Sequence, residues 1–216
     1  GILITLVVLG VGLLVSLYSK LPVEEETPGK EPLFYTLFLL QVTGLAGICL
    51  TGDAFNLYVL IEVAALTGYG LIAIGSNRAA AATFNYLILG TIGASLYLLG
   101  VGYIYIKTGT LNMVGIHDII VAQGLADSAT MQVAFVLVGV GILIKMAFFP
   151  FHAWLPNAYC NAPTTTSSLL ATPSGTLMFV VFLLLCFPVT LIFVFIVVVA
   201  VVVTAAIVVI LQLLTF

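Results

Sequence analysis

Long apolar stretches separated by short polar turns run through this chain from one end to the other. A helix rises 1.5 Å per residue and a bilayer core is about 30 Å thick, so a crossing needs about 20 apolar residues. The pattern predicts seven spans, over residues 1 to 18, 33 to 51, 54 to 75, 83 to 106, 131 to 155, 165 to 187 and 189 to 213. The expected fold is therefore all-α, a polytopic transmembrane bundle. Turn-forming residues mark the connections: Pro22, Pro28 and Pro32 in the first loop, Gly52-Asp53, Ser76-Asn77-Arg78, and Asn157 to Pro163. The longest polar interval, 107 to 130, contains Asn112 to Gln123, a candidate short surface helix. Small residues recur within spans, at Gly44 and Gly47, Gly68 and Gly70, Gly90, Gly93 and Ala94, Gly139 and Gly141, and predict close helix packing. From Leu191 to Leu214 the chain is Val- and Ile-rich without glycine or charge, which suits a lipid-facing helix.

Composition agrees. Of 216 residues, 63% are hydrophobic and 6% charged, against roughly 25% charged in soluble domains. The net charge of -3 comes mostly from one acidic loop, Glu24, Glu25, Glu26 and Glu31, and no basic patch offers a surface for nucleic acid. Lys and Arg mark cytoplasmic loops; with seven spans, Lys20, Lys30 and Arg78 share one side and Lys107 takes the other, which places the N-terminus outside. The first residue is glycine and no basic segment precedes the run Ile2 to Leu17, so the sequence reads as beginning inside a longer chain.

Two charges stand apart because they lie within spans. Glu62 is about 12 Å into the third span, near the bilayer midplane, where a short carboxylate stem cannot reach water. Ionisable groups at that depth are costly and mark ion pathways or paired sites. The alternatives are a structural ion pair, or a neutral acid tied to Tyr58 or Thr67. Lys145 lies in the fifth span, with apolar residues continuing through Leu155. Burial disfavours a charged lysine and a nearby carboxylate favours it, so a lysine whose distance to a glutamate changes is a switchable proton site. The alternative is a lysine snorkelling to the headgroups.

Pro150 lacks an N–H and clashes with the carbonyl four residues earlier, at Met146, so the fifth span is expected to break one turn beyond Lys145. Broken helices at membrane depth are tolerated where they border a cavity. His152 follows, as a relay towards Lys145 or as an interfacial residue beside Trp154. His117 lies in a polar loop. The hydroxyl run Thr164 to Ser168 either caps the sixth span or lines a wet cavity. Cys49, Cys160 and Cys186 lack metal-ligand spacing, and two histidines at opposite faces cannot share a haem. No cofactor or metal is expected.

Two motifs carry a resemblance. Gly52-Asp-Ala-Phe-Asn-Leu-Tyr-Val-Leu-Ile-Glu-Val63 resembles the glutamate helix of the antiporter-like membrane subunits shared by respiratory complex I, membrane-bound hydrogenases and Mrp-type cation/proton antiporters. Its part from Phe55 to Glu62 is most similar to the D-type subunit of the Mrp antiporters. Lys145-Met-Ala-Phe-Phe-Pro-Phe-His-Ala-Trp-Leu-Pro-Asn-Ala158, with Ala162 to Ala171, resembles the lysine helix and following loop of the same family. The similarity covers residues 33 to 171.

The resemblance implies an ion-translocating subunit, of protons or in Na+/H+ antiport, without redox chemistry of its own. Glu62 and Lys145 would be its coupled pair, working beside other membrane subunits in a bacterial or archaeal inner membrane. It implies residues 1–171 as the first repeat of an antiporter-like domain and 172–216 as diverged apolar helices. The family commonly places a further lysine or histidine where this chain has Thr176. That departure motivates the rival reading, a truncated or diverged structural relative that does not conduct.

Overall fold

The structure, a computed structural model, describes residues 1–75 and 78–171. They belong to the first of two compact units, Gly1–Phe179; the second, Val180–Phe216, lies outside the described residues. So do Thr176, Cys186, the seventh expected span and most of the sixth.

Every element among the described residues is helical: α1 (Ile2–Tyr18), α2 (Lys20–Glu26), α3 (Glu31–Leu50), α4 (Ala54–Ala73), α5 (Ala79–Thr108), α6 (Met113–Gln123), α7 (Ala129–Lys145), α8 (Trp154–Asn161) and α9 (Thr164–Leu169). Of these, α3, α4 and α5 are long and apolar enough to cross a membrane, and α1 with α2, bent by 63°, makes a fourth candidate. The chain is an integral membrane protein. Pro22, read as a loop breaker, instead sits in the first turn of α2, where its missing N–H costs nothing. The surface helix forms as expected, with the Asn112 carboxamide accepting from Val114 N and Gly115 N.

The fifth expected span is shorter than the hydropathy indicates. Helix α7 stops at Lys145, after 17 residues, and a 3-10 turn and α8 follow. Its end is a Schellman turn: Phe148 N donates to Leu143 O at 3.0 Å, and Ala147 N to Ile144 O at 3.1 Å. Ala147 takes the left-handed position, φ +52°, usually given to glycine. The helix thus terminates ahead of Pro150, through main-chain bonds that no apolar pattern encodes.

Packing runs α1 on α3, α3 on α4, α4 on α5 and α5 on α7, with α8 against α5. Between α5 and α7 the backbones nearly touch. A methyl at Gly141 would lie 2.6 Å from Gly93 O, and one at Gly93 would lie 3.0 Å from Gly141 O. Gly44 brings α3 close to α4 less tightly, a methyl there lying 3.2 Å from Ala64 N. Gly139 has open space around it and takes no part. One core cluster joins Val15, Val23, Phe34, Phe38, Leu71, Ile74 and Leu169; a second joins Ile72, Ala147, Trp154, Ala158 and Leu170. Apolar residues at the outer surface, such as Leu6, Leu17, Phe84 and Ile106, are exposed, as lipid-facing or partner-facing positions are.

Candidate functional site

The start of α4 fixes where Glu62 sits. Asp53 caps the helix, its Oδ1 accepting from Asn56 N at 2.7 Å. Ala54 N donates to Leu111 O at 2.8 Å and Met113 N to Gly52 O at 2.9 Å, tying this end of α4 to the α5–α6 connection. The Tyr97 hydroxyl of α5 donates to Ala54 O at 3.0 Å. The first half of the Gly52–Val63 motif is therefore an anchor, and its second half carries the acid.

Lys145, the last residue of α7, reaches that acid directly, α4 and α7 both packing on α5. Its Nζ donates to Glu62 Oε1 at 2.7 Å, with side-chain exposures of 6% for the lysine and 21% for the glutamate. The ammonium is thus held on Glu62 and does not snorkel outward. Neither Tyr58 nor Thr67 bonds Glu62: the Thr67 hydroxyl lies 2.6 Å from Gln41 Oε1, and the Tyr58 ring rests against Phe55 at 6.1 Å. In a poorly screened medium both charges lose hydration, and each is far costlier without its partner than beside it.

Three aromatic residues hold the end of α7 in place. Trp154 Nε1 donates to Ile144 O at 3.3 Å, one residue before the lysine. Its indole stacks on Tyr86 with ring centres 4.1 Å apart, and Tyr86 meets Tyr69 edge-on at 4.5 Å. The sequence assigns Trp154 no role beyond its place beside His152; a bond to a carbonyl ten residues back has no local sequence signature. Beside Lys145 lies a cavity of about 180 Å³, walled by Gln41, Tyr86, Trp154, Tyr159 and Leu170 among others.

His152 is exposed in the 3-10 turn Phe151–Ala153, its ring 5.7 Å from that of Phe149, and is not a member of the Glu62–Lys145 pair. His117 is exposed beside Asp118 at 3.4 Å. The hydroxyl run does not line the cavity, which takes Leu170 and Ala171 instead. Thr164 offers both its N–H and its hydroxyl to the Glu26 carboxylate, Ser167 Oγ donates to Tyr159 O at 3.0 Å, and Thr165 and Thr166 are fully buried. The cap of α9 thus comes from α2. Among the described residues no group of His, Cys, Asp and Glu could hold a metal ion.

Residues 51–213 match the family described as NADH:quinone oxidoreductase/Mrp antiporter, TM. The NADH-quinone oxidoreductase subunit N of Desulforudis audaxviator is 44% identical over 160 residues, covering 74% of this chain and 32% of that protein. The D-type subunit of the Na(+)/H(+) antiporter of Bacillus subtilis is 32% identical over 160 residues, with the same coverage of 74% and 32%. Over equal lengths the oxidoreductase relative thus shares more identities than the antiporter relative. A chain in the structure of the membrane-bound sulfane sulfur reductase, an archaeal respiratory membrane complex, superposes with a TM-score of 0.74 at 33% identity, over 82% of this chain and 35% of that one. The chain spans about a third of the length of these relatives.

Proposed function

Because the chain belongs to the NADH:quinone oxidoreductase/Mrp antiporter family, we propose that it is an ion-translocating membrane subunit in which Glu62 and Lys145 form the proton-coupling pair. The observation that carries this reading is the 2.7 Å contact between the two, nearly enclosed and made between two helices that both pack on α5. A lysine held on a carboxylate keeps its proton; drawn away into an apolar wall, it releases it. A carboxylate and an ammonium placed this way form a two-position proton switch driven by distance, with no need of a redox centre in the chain itself.

Around that pair the remaining assignments follow as parts of the same proposal. Seven spans would put the N-terminus outside an inner membrane, with residues 1–171 as the antiporter-like repeat and 172–216 as diverged apolar helices. Exposed His152, seven residues past Lys145, would feed the lysine from the cytoplasmic side. Thr176 stands where a basic residue would pass the proton on, so onward transfer would fall to water or to a neighbouring subunit. The partners are other membrane subunits of a multisubunit complex, and the ions are protons, with Na+ as the exchanged ion in the antiporter case.

The test is proton flux in liposomes carrying the full complex, comparing wild type with Glu62→Gln, Lys145→Ala and His152→Ala. Flux is expected to vanish in the first two and to slow in the third without loss of assembly. Unchanged flux in both pair variants would remove the assignment.

A further inference from the structure

The cavity beside Lys145 has a second polar wall that the pair does not use. Gln41, on α3, lines it and is only 2% exposed, a long carboxamide in an otherwise apolar stretch of helix. Its neighbour Thr67, on α4, is 6% exposed. The Thr67 hydroxyl oxygen lies 2.6 Å from Gln41 Oε1, 2.9 Å from Val63 O and 3.0 Å from Ala64 O. A hydroxyl has one proton and cannot donate to three acceptors.

Half a turn of the Gln41 amide about its last bond exchanges oxygen and nitrogen at the same positions. The nitrogen then donates to Thr67, and the Thr67 proton goes to its own helix carbonyl at Val63 or Ala64. Thr67 is bonded either way, so the amide has two bonded orientations, and the 2.6 Å separation, that of an O–H···O bond, selects the first while the pair is closed. In the first the NH2 group faces the cavity; among the described residues it has no hydrogen-bond partner. In the second the carbonyl oxygen faces the cavity, ready to accept from a cation.

We propose that Gln41 is a positioning residue for Lys145: when the Glu62–Lys145 pair opens, the ammonium enters the cavity and the Gln41 amide turns to present its carbonyl oxygen as the second partner. The inference rests on the transport reading above and specifies where the lysine goes. Leu45, Ile61, Ala64 and Ala65 complete the wall near Gln41 and offer the ammonium no side-chain acceptor. The other titratable groups lining the cavity are Tyr86 and Tyr159; Glu62, 2.7 Å from the ammonium, is not among its lining residues. At about 180 Å³ the cavity also has room for several waters, since about 10–15 Å³ suffices for one. Water can therefore bridge amide and amine without either moving far. The covalent structure does not change; one proton stays on or leaves Nζ as its partner changes.

The experiment uses the full complex in liposomes, with proton flux measured against pH for wild type, Gln41→Leu, Gln41→Glu and Thr67→Val, and with Glu62→Gln and Lys145→Ala alongside. Gln41→Leu is expected to cut flux about tenfold, as loss of a hydrogen bond to a charged group does. Gln41→Glu is nearly isosteric and puts a carboxylate in the cavity; the pH of half-maximal flux on the alkaline side is expected to rise by about one unit, since an opposite charge favours the protonated lysine. Thr67→Val removes only the amide's anchor and is expected to leave that pH where it is in wild type. If Gln41 served only to satisfy Thr67, Gln41→Leu and Thr67→Val would act alike and no variant would move the pH profile; that result overturns the inference. Should Gln41→Leu fail to assemble, the pH profile of Gln41→Glu decides alone. Loss of flux in the two pair variants with wild-type rate and profile at Gln41 overturns this inference and keeps the transport reading; retained flux in the pair variants overturns both.

Discussion

Lys145 closes its helix 2.7 Å from Glu62, an acid near the middle of α4, and both helices pack on α5. The contact is a long-range one, placed by the α5 scaffold and by the turn that ends α7. Neither helix holds it alone, and a small shift of either would open it.

Removing one partner of such a pair strands the other in a low-dielectric site, at about 3 kcal/mol or more, whereas replacing both with apolar residues of similar volume is often neutral. Lys145→Ala and Glu62→Leu are therefore each expected to lower the thermal midpoint in detergent, while Glu62→Leu/Lys145→Met is expected to recover most of the loss. Flux is expected to stay absent in the double variant. A recovered midpoint with recovered flux would mean that the pair is a structural ion pair and nothing more.

The α5–α7 contact offers a matched pair of substitutions. A methyl at Gly141 would meet Gly93 O at 2.6 Å and Tyr97 N at 2.8 Å, both main-chain atoms that cannot step aside. Gly141→Ala is expected to cost about 1–3 kcal/mol through overpacking and to draw Lys145 off Glu62. Gly139→Ala, two residues away with nothing within 4 Å, is expected to leave the midpoint unchanged or raise it, because alanine favours helix. Thermal melts and flux on both variants check this; equal behaviour would contradict the packing.

Apolar run length predicts α3, α4 and α5 to within a few residues, because a crossing helix must be long and the chain supplies clear polar stops at Gly52-Asp53 and around Arg78. Glu62 and Lys145 were legible for a related reason: a charge in such a run is its own signal. The end of α7 was not placed: Pro150 predicts a break one turn beyond Lys145, and the helix stops at Lys145 itself. Met146 to Leu155 is nearly as apolar as the helix before it, and what stops the helix is a main-chain turn through an alanine. Gln41 and Trp154 were missed because their roles are long-range, one through Thr67 and a shared cavity, the other through the Ile144 carbonyl.

That alanine makes a prediction of its own. An L-residue in the left-handed region costs about 1–2 kcal/mol, part of which glycine returns as unfolded-chain entropy. Ala147→Gly is expected to stabilise the protein by about 0.5–1 kcal/mol, and Ala147→Val, bulkier and β-branched at φ +52°, to destabilise it. Thermal midpoints for the two variants should therefore move in opposite directions. A lower midpoint for the glycine variant would count against the Schellman turn.

The acidic stretch, expected as a loop, has Glu24, Glu25 and Glu26 in α2 and Glu31 at the start of α3; it can be tested residue by residue, because charge and geometry make different predictions there. Glu24, Glu25 and Glu26 are all exposed, and as a patch they would be interchangeable. Glu26 differs in bonding α9, its Oε2 accepting from Thr164 N at 2.8 Å and its Oε1 from the Thr164 hydroxyl. It supplies the cap that Pro163 cannot, and fastens α2 to the helix that follows α8. Loss of a helix cap costs about 1 kcal/mol. Glu26→Ala is thus expected to lower the thermal midpoint by that amount, and Glu26→Gln by less, since its carboxamide keeps one acceptor oxygen. Glu24→Ala and Glu25→Ala are expected to match wild type. An equal loss in all three alanine variants would instead show that these carboxylates act through their summed charge, and high salt would then erase the effect in each.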